Sequence, residues 1–258
     1  MSTACHDVAT LPAPPAVGAD ADWALFLDVD GTLLDFAHHP DRVEVEAGLR
    51  DGLERIGTRL HGAIALLSGR PLSDLDALFG WHTRAAAGLH GAELRMPDGH
   101  VHMTGDAAGF AAIRAQASAR VAETPEVLLE DKQRALALHY RHAPTARTAA
   151  EAIAHELAQR AGGGYVLQYG DHVIELKPAG VDKGRALATL MQATPFHGRK
   201  PWMLGDDLTD EHAFASVNAA GGVSVIVGDR RPTAARCALA DPAAVRAWLR
   251  RLADADLS

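Results

Sequence analysis

Apolar and polar positions along the chain fall into three stretches of different rhythm. In the first, short unbroken apolar runs alternate with residues at helical spacing. Trp23–Leu27 is an apolar run that halts at Asp28, and Ala63–Leu67 is a second that halts at Ser68; each predicts a buried strand. Between them Leu49, Leu53, Ile56 and Leu60 recur at helical spacing within 45–60, and a short helix is expected over 73–79. Strand and helix alternate, as in a parallel sheet covered on both faces. The middle stretch reads differently. An Ala-rich helix over 106–123 is followed by two runs with period-two alternation, 126–132 and 134–141. A second helix over 146–161 is stopped by Gly162–Gly164, and runs at 165–169 and 173–177 flank Gly170-Asp171-His172, a hairpin signal. Helix, strand, strand thus occurs twice, without sequence identity between the copies, which predicts a small α+β domain with an open antiparallel sheet. After Pro178 the first rhythm returns. Asp182 can cap a helix running to about Met191, 202–204 and 223–227 read as strands, and 242–252 as a closing amphipathic helix.

The expected fold class is therefore α/β: a doubly wound parallel-sheet core built from both ends of the chain (21–104 and 179–258), interrupted by an α+β insertion at 105–178. Residues 1–20, with the Pro-rich run LPAPPAVG, read as a flexible leader.

Composition narrows the class further. The 258 residues carry 33 acidic and 25 basic side chains, a net charge of −8, with 48% hydrophobic and 22% charged residues, an ordinary globular balance. A net acidic chain without a basic block is ill suited to gripping nucleic acid. No apolar run approaches the roughly 18 residues needed to span a bilayer, and the first residues lack a basic start and an apolar stretch of the secretory kind. Two cysteines, Cys5 and Cys237, offer neither metal spacing nor a disulfide framework, so a cytoplasmic, reducing address is expected. Only four lysines occur, Lys132, Lys177, Lys183 and Lys200, in a chain that otherwise writes positive charge as Arg. A Lys against that background points to a need for a compact ammonium.

The chemistry sits at the ends of the apolar runs. Asp28-Val-Asp-Gly-Thr-Leu-Leu34 places two carboxylates, Asp28 and Asp30, directly after a buried strand, where open parallel sheets bind ligands. A turn that merely caps a strand is the plain alternative. Gly205-Asp-Asp-Leu-Thr-Asp-Glu211 repeats the logic. Adjacent carboxylates at a strand tip repel unless a cation lies between them, and Mg²⁺ takes a few carboxylates plus phosphate and water. Alone, this motif serves equally as the cap of the next helix. Ser68-Gly-Arg70 offers a hydroxyl and backbone N–H groups to an anion, and on its own is as well read as a plain turn. Lys183, at the start of a helix, can neutralise a phosphoryl group or crowded carboxylates. In the insertion Glu130 and Lys132, His139 and Arg141, and Glu175 and Lys177 are spaced two apart, so that each pair shares a strand face. Such a face suits a sugar with many hydroxyls, or equally a solvated sheet with cross-strand ion pairs.

Taken in order, DVDGTLL, SGR, Lys183 and GDDLTDE resemble the four motifs of the haloacid dehalogenase superfamily of phosphotransferases, spanning residues 28–211, and the insertion resembles that superfamily's larger cap type on a Rossmann-like core. Within it, Gly88-Leu-His-Gly-Ala-Glu93, Glu130-Asp-Lys132 with His139-Tyr-Arg141, and Val173-Ile-Glu-Leu-Lys-Pro178 resemble the trehalose-6-phosphate phosphatase family. The resemblance implies a Mg²⁺-dependent phosphatase acting on trehalose 6-phosphate. It implies Asp28 as nucleophile, Asp30 as acid and base, Mg²⁺ on the Asp28 carboxylate, the Asp30 carbonyl and Asp206, and Ser68 and Lys183 on the phosphoryl oxygens. Asp207 and Asp210 would orient the metal's surroundings and Lys183. Arg70, His90, Glu130, Lys132, Arg141 and Glu175 would contact substrate, with the cap closing over the sugar. A small-molecule sugar phosphate is the expected partner, and a monomer the expected state. A phosphatase for a sucrose or mannosyl phosphate would keep the same chemistry with a different cap. A non-catalytic regulatory module would lack Asp28, Asp30 or Asp206, and all three are present.

Overall fold

A computed structural model describes residues 11–15, 22–35, 45–170 and 172–254. Cys5, Asp171 and all of the expected leader except 11–15 lie outside them. The described residues fall into two compact units, one within 1–102 and 182–258 and the other within 103–181. The expected insertion falls inside the second.

The first unit is built on an eight-stranded sheet. Its strands are β1 (Trp23–Leu27), β2 (Ile64–Leu67), β3 (Ala86–Gly88), β4 (Glu93–Arg95), β5 (Val101–Met103), β10 (Lys200–Gly205), β11 (Val223–Val227) and β12 (Cys237–Leu239), in the order β12-β11-β10-β1-β2-β3-β4-β5. From β12 to β3 all neighbours are parallel, and β3 and β4 form an antiparallel pair. β1 and β2 are buried along their whole length, as two-sided cover by helices requires. The helices are α1 (Ala47–Arg59), α2 (Leu72–Phe79), α5 (Lys183–Leu190), α6 (Glu211–Ala219) and α7 (Pro242–Asp254). In α7 Val245, Trp248, Leu249 and Leu252 make one buried stripe, and the Asp241 carboxylate caps its first turn by accepting from the Ala244 N–H at 2.7 Å. Phe26 is fully buried and stacks on Phe196 at 5.3 Å; truncating such a ring to Ala costs about 3–5 kcal/mol.

The second unit is helix, strand, strand, twice over: α3 (Ala107–Ala122), β6 (Leu128–Asp131), β7 (Leu136–His139), then α4 (Arg147–Ala161), β8 (Tyr165–Gly170), β9 (Val173–Pro178). Its antiparallel sheet runs β6-β7-β9-β8, so the two hairpins join through their inner strands. One sheet face, with Leu136, Leu138, Ile174 and Leu176, packs on Phe110, Ile113, Ala150, Ile153 and Leu157 of the helices as a separate core. The other face carries Glu130, Gln168 and Glu175, with Leu128, Ala137 and Val166 among them.

Three readings are corrected. β7 ends at His139, not Arg141, because the chain turns at Tyr140, whose carbonyl accepts from the Ala143 N–H at 3.0 Å; Arg141 lies beyond the strand and is exposed. β3, β4, β5 and β12 escaped the pattern, since strands of three residues hold too few positions for a period to show. Within the leader, Leu11 packs on the core and the Pro12 carbonyl accepts from the Ala238 N–H at 3.0 Å, so this piece is pinned beside β12. None of the described helices is long and apolar enough to cross a membrane.

Candidate active site

β1 and β10 are parallel neighbours with Leu27 level with Leu204, so the residues that follow them emerge side by side. The Asp28 N–H donates to the Leu204 carbonyl at 3.0 Å, and Asp206 is one residue past β10. From β1 the connections lead one way to β2 and β3 and the other way round to β10 and β11, which makes this gap the point where strand order reverses. After Asp28 the chain folds back through Gly31 at φ +81°, a conformation easy only for glycine, closed by Gly31 N–H to the Leu34 carbonyl at 2.8 Å. Thr32 then donates its hydroxyl to Asp206 at 3.3 Å.

Lys183 enters from the first turn of α5, whose N-cap Asp182 accepts from the Arg185 N–H at 2.8 Å. Its ammonium donates to Asp28 Oδ1 at 2.6 Å and Asp210 Oδ1 at 2.7 Å. The other Asp210 oxygen accepts from the N–H groups of Asp206 and Asp207, both at 3.0 Å. Asp210 is thus wholly enclosed and committed to orienting its neighbours. A Cβ on Gly205 would lie 2.4 Å from the Asp210 carboxyl carbon, so glycine alone lets that group sit against the strand end. Asp207 and Asp210 close a reciprocal cap on the turn that opens α6.

The charges do not cancel. Asp28, Asp206 and Asp210 each present an oxygen within 4.8 Å of the others, with Lys183, among the described residues, the one ammonium bound to the cluster. Burial pushes the Asp28 carboxyl well up; Lys183 opposes this, while Asp210 and Asp206 add to it. Burial and then Asp210 push Asp206 up to about 7. Burial alone would lower the Lys183 ammonium, but Asp210 and Asp28 outweigh it and hold it above its ordinary value. A cluster of hard oxygen donors, short of positive charge and without His or Cys, is suited to a divalent cation.

Around this cluster, Ser68 follows β2 and is buried; its hydroxyl accepts from the Arg70 N–H at 3.1 Å. Arg70, expected at the substrate, has its guanidinium on Asp30, with Nε and one Nη each donating to a different Asp30 oxygen at 2.7 Å. His90 is 8% exposed and left-handed at φ +56°. Its N–H donates to the Ser68 carbonyl at 2.9 Å, and its ring lies against Gly69, so it braces the Ser68–Arg70 turn.

In the second unit the structure brings Glu130, Lys132, His139 and Glu175 together on the sheet face opposite the helices. Lys132 Nζ lies 2.6 Å from Glu175 and 3.8 Å from Glu130, and His139 Nε2 lies 2.8 Å from Glu130. Burial opposes the charge of Glu130, yet the bond to His139 and the charge of Lys132 hold its carboxyl below the ordinary value. Lys177 instead donates to the Val181 carbonyl at 3.1 Å.

Gln168 was missed. It is the partner of Glu175 across β8 and β9, and Glu175 and Glu130 both face Ala137, so the three line one row of this face. Taking Gly170-Asp171-His172 as the whole turn sets Leu167 level with Glu175. In the structure Gly170 itself pairs with Val173, and the one-residue slip changes which side chain faces out.

Comparison with known proteins gives a consistent picture. Residues 26–243 match the family model described as Trehalose-phosphatase. The chain is 44% identical over 218 residues to a probable trehalose-phosphate phosphatase of Sinorhizobium fredii, covering 84% of this chain and 82% of that protein. It is 42% identical over 236 residues to the trehalose-6-phosphate phosphatase of Escherichia coli, covering 91% and 88%. Among solved structures, the C-terminal domain of Candida albicans trehalose-6-phosphate phosphatase superposes with a TM-score of 0.78 at 23% identity, covering 94% of this chain and 98% of that one, a likeness of fold.

Proposed function

The chain belongs to the Trehalose-phosphatase family, and on that premise we propose that it hydrolyses trehalose 6-phosphate to trehalose and phosphate through an aspartyl-phosphate on Asp28. The observation that carries the reading is the placement of Asp28 at the β1 end, 2.6 Å from the buried Lys183 ammonium and within one cation's reach of Asp206.

In the first step an Asp28 oxygen attacks phosphorus and the bond from phosphorus to the sugar oxygen breaks, with Asp30 giving that oxygen its proton. In the second, water attacks the phosphorus of the aspartyl-phosphate and gives a proton to Asp30, and the Asp28 carboxylate is released. Ser68 and Lys183 bind the phosphoryl oxygens, where charge is spread in the transition state. Lys183 also stays pinned by Asp210, so it needs no reorganisation as that charge develops. The Asp28 carboxylate, the Asp30 carbonyl and Asp206 would hold Mg²⁺, which when bound supplies the positive charge that Lys183 alone cannot. Arg70 donates to both Asp30 oxygens, so this pair has to part for Asp30 to carry the proton to the leaving oxygen. Glu130, Lys132, Gln168 and Glu175 form the row that takes sugar hydroxyls.

The test is phosphate release with Mg²⁺ across trehalose 6-phosphate, sucrose and mannosyl phosphates and glucose 6-phosphate. Trehalose 6-phosphate is the best substrate, and Asp28→Asn and Asp30→Asn fall by at least about 10²-fold. A better sucrose or mannosyl phosphate would move the substrate assignment, and either variant above about a tenth of wild type would remove the mechanism.

A further inference from the structure

Arg230 lies outside every motif, in the segment after β11. Its side chain returns to the turn that carries Asp206. Nε donates to the Asp206 carbonyl at 2.9 Å, and one Nη donates to the Asp207 carbonyl at 3.2 Å and to Glu211. The other Nη holds the Pro232 carbonyl of its own loop at 3.2 Å. The second Glu211 oxygen accepts from the Ala234 N–H at 2.7 Å, so the carboxylate ties the Arg230 loop to the start of α6. Asp206 is therefore held on both sides of its main chain: its N–H by Asp210, its carbonyl by Arg230.

A partly exposed ion pair contributes little to stability by itself. A guanidinium that satisfies two successive carbonyls and a carboxylate at once does something an ammonium cannot, because its donors are set in a rigid plane. We propose that Arg230, oriented by Glu211, is a positioning residue for the divalent-cation site: it fixes the backbone on which Asp206 is carried, and so sets cation affinity. The inference rests on the metal reading above.

The experiment measures binding of Mn²⁺ alone to the full chain by electron paramagnetic resonance, with melting in chelator followed in parallel. Arg230→Ala weakens Mn²⁺ binding about 10–100-fold, the range for partners of metal ligands, while its chelated melting temperature stays close to wild type. Arg230→Lys recovers part of the affinity, Glu211→Gln loses a smaller part, and raising Mg²⁺ restores turnover in Arg230→Ala. Asp206→Asn is the control. If Asp206→Asn binds Mn²⁺ as wild type does, the metal reading itself fails. If Asp206→Asn is deficient while Arg230→Ala binds normally, only this inference falls. If Arg230→Ala is unfolded, Arg230→Lys and Glu211→Gln decide it: wild-type affinity in both overturns it.

Discussion

Asp206 shows how one side chain comes to depend on its neighbours. Its carboxyl stands at about 7 in the folded protein against 3.8 ordinarily, because burial and the nearby Asp210 disfavour its charge. Between roughly pH 4 and 7 the folded protein keeps a proton that the unfolded chain has released, so this group's contribution to stability falls as pH rises through that window and is lowest above it. Asp28 is displaced in the same direction. Asp206→Asn removes the titration. In chelator, the variant's melting temperature gains on wild type from pH 4.5 to 7.5 and runs parallel to it above pH 8. A difference that stays constant across that range would mean Asp206 is ionised throughout. The carboxylates and Lys183 were legible because acids directly after apolar runs are conspicuous. Arg230 and Gln168 were not, since an Arg in an Arg-rich chain and a Gln in a strand carry no signal until a register or a loop path places them.

Elements decide what those residues can do together. On the second unit's sheet, β6, β9 and β8 bring Glu130, Glu175 and Gln168 onto one face, and Lys132, just past the end of β6, reaches Glu175 there. Lys132 and Glu175 side chains are only 10% and 11% exposed, so truncating one leaves the other's charge enclosed. A substrate hydroxyl that loses its partner on this face costs about 1–3 kcal/mol, separately from any loss of stability. Glu130→Ala, Lys132→Ala and Glu175→Ala therefore lower kcat/KM on trehalose 6-phosphate by roughly 5–150-fold, at about 1.4 kcal/mol per tenfold. They leave a small aryl phosphate nearly unaffected, since distant contacts assist the chemical step only for a substrate able to make them. Equal losses on both substrates would assign these residues to folding. Period-two spacing made the Glu130–Lys132 and Glu175–Lys177 pairs visible in advance, but only pairing shows that Lys132 meets Glu175 while Lys177 turns to Val181.

At the scale of the whole molecule, two units with separate cores share one chain, and the acidic cluster belongs entirely to the first. Excess chelator therefore abolishes turnover, and Mg²⁺ restores it. A ligand at about 100 times its Kd stabilises by about 2.7 kcal/mol, so Mg²⁺ at that excess raises the first unit's melting temperature by roughly 5–10 °C. Asp206→Asn loses that shift. Full turnover with elemental analysis confirming metal removal would exclude the cation from the reaction.

The order of the longer elements, the doubly wound class, the twofold helix–strand–strand pattern of the middle stretch and the acids at the strand ends were present in the sequence; the three-residue strands were not. They depend on periodicity along the chain, which local sterics and burial impose on neighbouring residues. Tertiary structure alone decided that β10 returns beside β1, so that Asp206 and Lys183 reach Asp28 across more than 150 residues. It also decided that Arg70 grips Asp30, that His90 braces the Ser68 turn, and that Arg230 holds the Asp206 carbonyl. These are contacts between side chains and distant backbone, set by strand order, register and packing, and no pattern along one chain encodes which distant surface a side chain will meet.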